Sequence, residues 1–141
     1  MPEVKHQTLL CFDFGLKQIG VAYGQTLTAS ANGLAIIKAS DGAPNWSQVT
    51  EIINEWKPSL LLVGLPLNMD GTPGQRVEIT KAFASNLEIT TNMQLHFQDE
   101  RLTSSAAEEK LSGSGKTHKQ KKKMRDALAA AEILNDFLAQ L

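Results

Sequence analysis

At 141 residues and 42% hydrophobic content, the chain is sized for one globular domain over 1–141 that buries roughly two-thirds of its unfolded surface. Its formal net charge of −1 provides no global field toward a polyanion or a membrane, so any such attraction must be local. No apolar run approaches the roughly 20 residues of a membrane span, there is no signal-peptide pattern, and the single Cys11 has no internal disulfide partner; a cytoplasmic setting is expected.

Three short apolar stretches, 8–14, 19–25 and 33–38, open the chain between Gly-, Ser- and Thr-containing turns and read as an antiparallel meander. Cys11 falls inside the first and reads as a small buried hydrophobe. Trp46, Val49, Ile52, Ile53 and Trp56 then form a helical stripe, with Asn45 and Gln48 spaced as an N-cap and its reciprocal partner and Pro58 as the stop. Leu60 to Val63 is an unbroken apolar run, as expected of a strand covered on both faces in a parallel sheet. Thr72, Pro73 and Gln75 predict the start of a second helix running to about Leu87, with Phe83 and Leu87 on its inner face. Leu95-His96-Phe97-Gln98 alternates like a half-buried strand. A short helix near 104–111, a flexible break at Ser112-Gly113-Ser114-Gly115 and a last helix over about 120–139 complete the order. Antiparallel strands followed by βα units specify an α/β fold with a mixed sheet and helices on both faces.

Carboxylates mark the functional region. Asp13 ends the first apolar run and opens the turn Asp13-Phe14-Gly15-Leu16-Lys17, while Asp99-Glu100 follows the last strand. At about 100° per residue, Ala130, Ile133 and Phe137 lie within about 40° of Asp126, which sets that residue on the inner face of the final helix. A buried carboxylate requires compensation, either from the helix dipole and a lysine or from a shared cation. Three carboxylates within about 5 Å repel by roughly 3 kcal/mol per pair at an effective dielectric of 20, so a cluster of Asp13, the acidic pair and Asp126 needs a cation. Oxygen-only donors favour Mg²⁺ or Mn²⁺, and two such ions suit phosphodiester cleavage without a histidine base. His6, His96 and His118 lack metal-ligand spacing.

The segment Lys116 to Arg125 holds six Lys or Arg in ten residues, counting Lys116, Lys119, Lys121, Lys122, Lys123 and Arg125. Such a run is ordinarily a solvated face; immediately before Asp126 it would draw a polyanionic backbone to the acidic site. No aromatics interleave with it, so phosphate and shape contacts are expected rather than base stacking.

Four blocks in order carry a family resemblance: Asp13-Phe14-Gly15-Leu16-Lys17-Gln18-Ile19-Gly20-Val21-Ala22, Val63-Gly64-Leu65-Pro66-Leu67-Asn68-Met69-Asp70-Gly71-Thr72, Asp99-Glu100-Arg101-Leu102-Thr103, and Asp126 with Ala129-Ala130 and Ile133-Leu134. On these the chain resembles the YqgF family, also called RuvX, of the ribonuclease H-like superfamily. The resemblance implies a five-stranded mixed sheet whose first three strands are antiparallel. It also implies a metal-dependent nuclease first grouped with Holliday junction resolvases and later associated with the 5′ end of pre-16S ribosomal RNA. By resemblance Asp13, Glu100 and Asp126 are catalytic and hold Mg²⁺ or Mn²⁺, with Asp99 able to replace or assist Glu100. Lys17, Arg101, Lys116, Lys119, Lys121, Lys122 and Lys123 are the expected nucleic-acid contacts. Gln18 departs from the family, which commonly has a basic residue there.

Structured RNA is thus the expected partner, with branched DNA second, and a monomer and a homodimer both stay open. A non-catalytic RNA-binding assembly factor would show the same acidic cluster and basic arm. Phosphotransfer from ATP also uses an Asp-x-Gly turn, but such proteins resemble two lobes closing on a nucleotide, and this chain has the length of one.

Overall fold

The computed structural model describes residues 7–66, 70, 74, 76–99 and 118–140, with 118–126 described by backbone alone. The elements are β1 (Thr8–Asp13), β2 (Gln18–Gln25), β3 (Ser30–Ser40), β4 (Ala43–Pro44), α1 (Trp46–Trp56), β5 (Leu60–Leu65), α2 (Val77–Thr91), β6 (Leu95–Asp99) and α3 (His118–Ala139). One sheet orders the strands β4-β3-β2-β1-β5-β6. β1, β2, β3 and β4 pair antiparallel in succession, and β5 joins β1 and β6 in parallel.

The meander and the two later strands agree with the sequence reading, but the described sheet has six strands rather than five. The extra one is the two-residue β4, which folds back on Ala39 and Ser40 through Asp41 (φ 50°) and Gly42 (φ 87°). Positive φ at both turn positions is what an Asp-Gly pair supplies in a tight hairpin.

Strand alternation divides the core into two layers. Leu10, Phe12, Val21, Leu61 and Val63 pack against Val49 and Ile52 of α1 and Phe83 and Leu87 of α2. Leu9, Cys11, Ala22, Leu60 and Leu62 meet Ala130, Ile133, Leu134 and Leu138 of α3. Cys11 is fully buried here, as its place in an apolar run implies. The described chain has no helix long and apolar enough to cross a membrane.

Glycines set how close α3 comes to the sheet. A Cβ on Gly24 would lie 2.8 Å from Leu134 Cδ2, and one on Gly33 would lie 3.1 Å from Ala127 Cβ and 3.2 Å from its backbone carbonyl carbon and oxygen. The helix therefore rests on β2 and β3 where side chains are missing.

Helix ends depart from expectation in two places. Asn45 Oδ1 accepts from the Gln48 backbone N–H at 3.2 Å, but Gln48 does not reciprocate; its Nε2 donates to the Ile36 carbonyl at 3.1 Å and ties α1 to β3. The Asn45 N–H is already bonded to the Lys38 carbonyl at 3.0 Å, which removes the need for a reciprocal cap. α2 begins at Val77 rather than at Pro73, with Gly74 outside the helix, and continues past Leu87 to Thr91. Its extension ends on Asn92, a residue that tolerates the left-handed conformation it adopts (φ 53°). Thr72, Pro73 and Gln75 lie outside the described residues, as do the short helix near 104–111 and the 112–115 break.

Candidate active site

Parallel pairing brings the carboxyl ends of β1, β5 and β6 to one edge of the sheet. In open α/β sheets this edge, where connections diverge from a central strand, is the usual place for a ligand crevice. Asp13 is the last residue of β1 and is half-buried. Leu9 and Cys11 face α3, so the period of two puts Asp13 on that same face. Phe12 pairs with Val63, and one step further Asp13 comes level with Gly64, which pairs with Gln98. At about 4.8 Å per strand, Gln98 stands roughly 10 Å from Asp13 across the side-chain-free Gly64.

The turn after Asp13 is held firmly. Gly42 N–H donates to the Leu16 carbonyl and Ala39 N–H to the Lys17 carbonyl, both at 2.9 Å. These bonds present Lys17 as an exposed cation four residues from Asp13.

The other site residues are placed to different extents. Asp126 lies in α3 by its backbone, one residue before the Ala127 that rests on Gly33 of β3, two strands from β1. The burial of Ala130 and Ile133 agrees with the inner face read from the periodicity. Lys119, Lys121, Lys122 and Lys123 fall in the first turns of α3 by backbone, while Glu100, Arg101 and Lys116 lie outside the described residues. Among the described residues no three His, Cys, Asp or Glu side chains gather as a metal site.

β6 forms where the alternating stretch 95–98 placed a strand, with an uneven burial pattern. Gln98 is buried at 9% exposure and Phe97 is open at 41%, the reverse of a strand with its aromatic inward. β6 is an edge strand, and the face it turns to α3 is the one that carries His96 and Gln98. On α3, Glu132 is half-buried and Asp136 is exposed.

Asp136 nonetheless has its carboxyl held above the ordinary 3.8, first by partial desolvation and then by the Glu132 and Asp99 carboxylates. A folded-state pKa raised in this way means that the charged form costs stability above 3.8, and that the cost fades as the pH falls toward 3.8. Asp136→Asn is therefore expected to raise the melting temperature at pH 7, with the gain shrinking as melts are repeated down to pH 4. A gain that grows on acidification would contradict this.

Arg76, absent from the residues that the sequence nominated, also belongs to this edge. A methyl group on Gly15 would lie 3.9 Å from Arg76 Nη2, so the guanidinium stands beside the Asp13–Lys17 turn. The only available signal was a lone arginine after a Gly/Pro-containing block.

Comparison with known proteins decides the family. A family model described as "RuvX: Holliday junction resolvase" matches residues 7–140. The chain belongs to the RuvX family. A protein of Glaesserella parasuis serovar 5 named "Putative pre-16S rRNA nuclease" is 45% identical over 134 residues, covering 95% of this chain and 97% of its own. An Azotobacter vinelandii protein of the same name is 43% identical over 132 residues, covering 94% and 93%. The fold is similar to that of Thermus thermophilus RuvC in complex with a Holliday junction (TM-score 0.51, 15% identity, 90% and 92% covered). It is also similar to fowlpox virus resolvase with Holliday junction DNA (TM-score 0.57, 11% identity, 94% and 97% covered). At those identities the likeness establishes the ribonuclease H-like architecture of this RuvX chain.

Proposed function

We propose that this RuvX chain is a divalent-metal-dependent endonuclease of the cytoplasm that processes the 5′ end of pre-16S ribosomal RNA. The observation that carries the reading is the 45% identity, across 95% of the chain, to a protein named "Putative pre-16S rRNA nuclease". Asp13 at the carboxyl end of β1 supplies a compatible anchor.

The donor chemistry fits a hard cation. At the strand ends the described residues offer carboxylate oxygen, while Cys11 is sealed in the α3 layer. Asp13, Glu100 and Asp126 would hold Mg²⁺ or Mn²⁺, which when bound supplies Lewis acidity and a more acidic water. Glu100 enters this set by the family resemblance, with Asp99 beside it at the end of β6 able to replace or assist it. Lys17 and the lysines from 116 to 123, with Arg101, draw in the strand and orient it across the sheet edge.

Mapping cut positions on an end-labelled pre-16S transcript beside a four-way DNA junction tests the substrate. Cuts near the mature 5′ end of the RNA support the reading, and cuts confined to the junction would replace it with resolvase activity. In the same assay Lys121→Ala, Lys122→Ala and Lys123→Ala combined should weaken RNA binding on nearly every sequence and flatten the log–log salt dependence by about 0.7 per lost contact. An unchanged slope would remove the basic segment from the interface.

A further inference from the structure

We propose that Arg76 is a positioning residue that clamps a backbone phosphate of the substrate against the Gly15 turn, directly beside Asp13. The inference rests on the nuclease reading for its substrate class, and on three features of Arg76 for its location.

The first is proximity. Arg76 Nη2 would stand 3.9 Å from a methyl placed on Gly15, so the guanidinium lies beside the turn that carries Asp13 and Lys17. Lys17 and Arg76 thus bring two cations to the turn, both exposed.

The second is availability. Among the described residues no carboxylate or carbonyl holds the guanidinium; only the Arg76 backbone carbonyl is engaged, by the Thr80 N–H at 3.0 Å and the Thr80 hydroxyl at 2.8 Å. Those bonds fix the start of α2, and with it the point from which the side chain projects.

The third is that Arg76 is a poor choice for stability. It occupies the N-cap of α2 and makes no side-chain cap bond. Ser, Thr, Asp or Asn would satisfy an orphan N–H there, and a cation opposes the positive end of the helix dipole. An arriving phosphate reverses both penalties, because it accepts from the guanidinium fork and is favoured by the dipole. Arginine rather than lysine supplies the planar pair of donors that fixes orientation as well as charge.

The test compares the full chain with Arg76→Lys, Arg76→Ala and Arg76→Asp. Binding to pre-16S RNA and to a four-way DNA junction is measured with Ca²⁺ across a salt series, cleavage with Mg²⁺, and melting in the same buffers. Arg76→Ala should lower kcat/KM about 10- to 100-fold, as expected for a lost charge-assisted hydrogen bond. It should also reduce the salt slope by about 0.7 to 0.9, the value of one phosphate contact. Arg76→Lys should restore the slope but only part of kcat/KM. Arg76→Asp should lose still more binding while its melting temperature is unchanged or higher, a pairing of signs that a structural role does not produce. Unchanged slope and kcat/KM in Arg76→Ala, or losses matched by a lowered melting temperature in all three variants, would overturn the proposal. A native chain that binds but cuts neither substrate refutes the nuclease reading and leaves the salt slope to judge Arg76. A native chain that binds neither polyanion overturns both.

Discussion

Asp13→Asn is expected to abolish metal-dependent cleavage, by at least about 10²- to 10³-fold, while nucleic-acid affinity stays the same or rises. Asp13 sits at the carboxyl end of β1, which is flanked by β2 and β5 and covered on both faces. The amide keeps the side chain's shape and removes a negative charge that binds a cation and repels phosphate. Binding and cleavage should therefore separate. Cleavage and RNA affinity lost together, with an unchanged melting curve, would favour the non-catalytic assembly factor. The comparison uses filter binding in chelator beside single-turnover cleavage in Mg²⁺.

Gly15→Ala should damage the same site through the backbone. The added Cβ would overlap the backbone carbonyl of Gln18, and the third nearest atom is Arg76 Nη2 at 3.9 Å. Relief by moving the turn is opposed on its far side, where Leu16 and Lys17 carbonyls accept 2.9 Å bonds from Gly42 and Ala39, and Gln18 itself pairs with Lys38. Overpacking of this kind costs about 1–3 kcal/mol. A displacement of about 1 Å in the residues that position the substrate costs about 10²-fold in rate. Activity should consequently fall far below native at temperatures where melting by circular dichroism shows the variant fully folded. Native activity in Gly15→Ala would mean that the turn is not part of the site.

The sequence made the sheet legible wherever apolar runs were bounded by turn residues. The first three strands and their antiparallel sense followed from spacing, and the unpolarised run Leu60 to Val63 correctly indicated a strand covered on both sides. Local chemistry misled where tertiary contacts decided the outcome. Gln48 looked like half of a capping box but bonds to Ile36 of β3. The stretch 95–98 read as a half-buried strand, and its buried member is Gln98, which strand alternation turns toward α3. The Asp41-Gly42 turn was readable and would have announced β4.

For the site, a carboxylate ending an apolar strand gave Asp13, and helical periodicity gave the inner face on which Ala130 and Ile133 are buried. Arg76 could not be read in the same way. Its meaning comes from a juxtaposition with Gly15 across 61 residues of chain, visible only once α2 is seen to start at Val77.

The measurement that bears most directly on the account is cleavage of an end-labelled pre-16S ribosomal RNA by the native chain in Mg²⁺ or Mn²⁺, in chelator, and by Asp13→Asn in either ion. Discrete cuts that require the ion and disappear in Asp13→Asn are predicted. Cuts that persist in chelator or in Asp13→Asn, or tight binding of intact RNA under every condition, would contradict it.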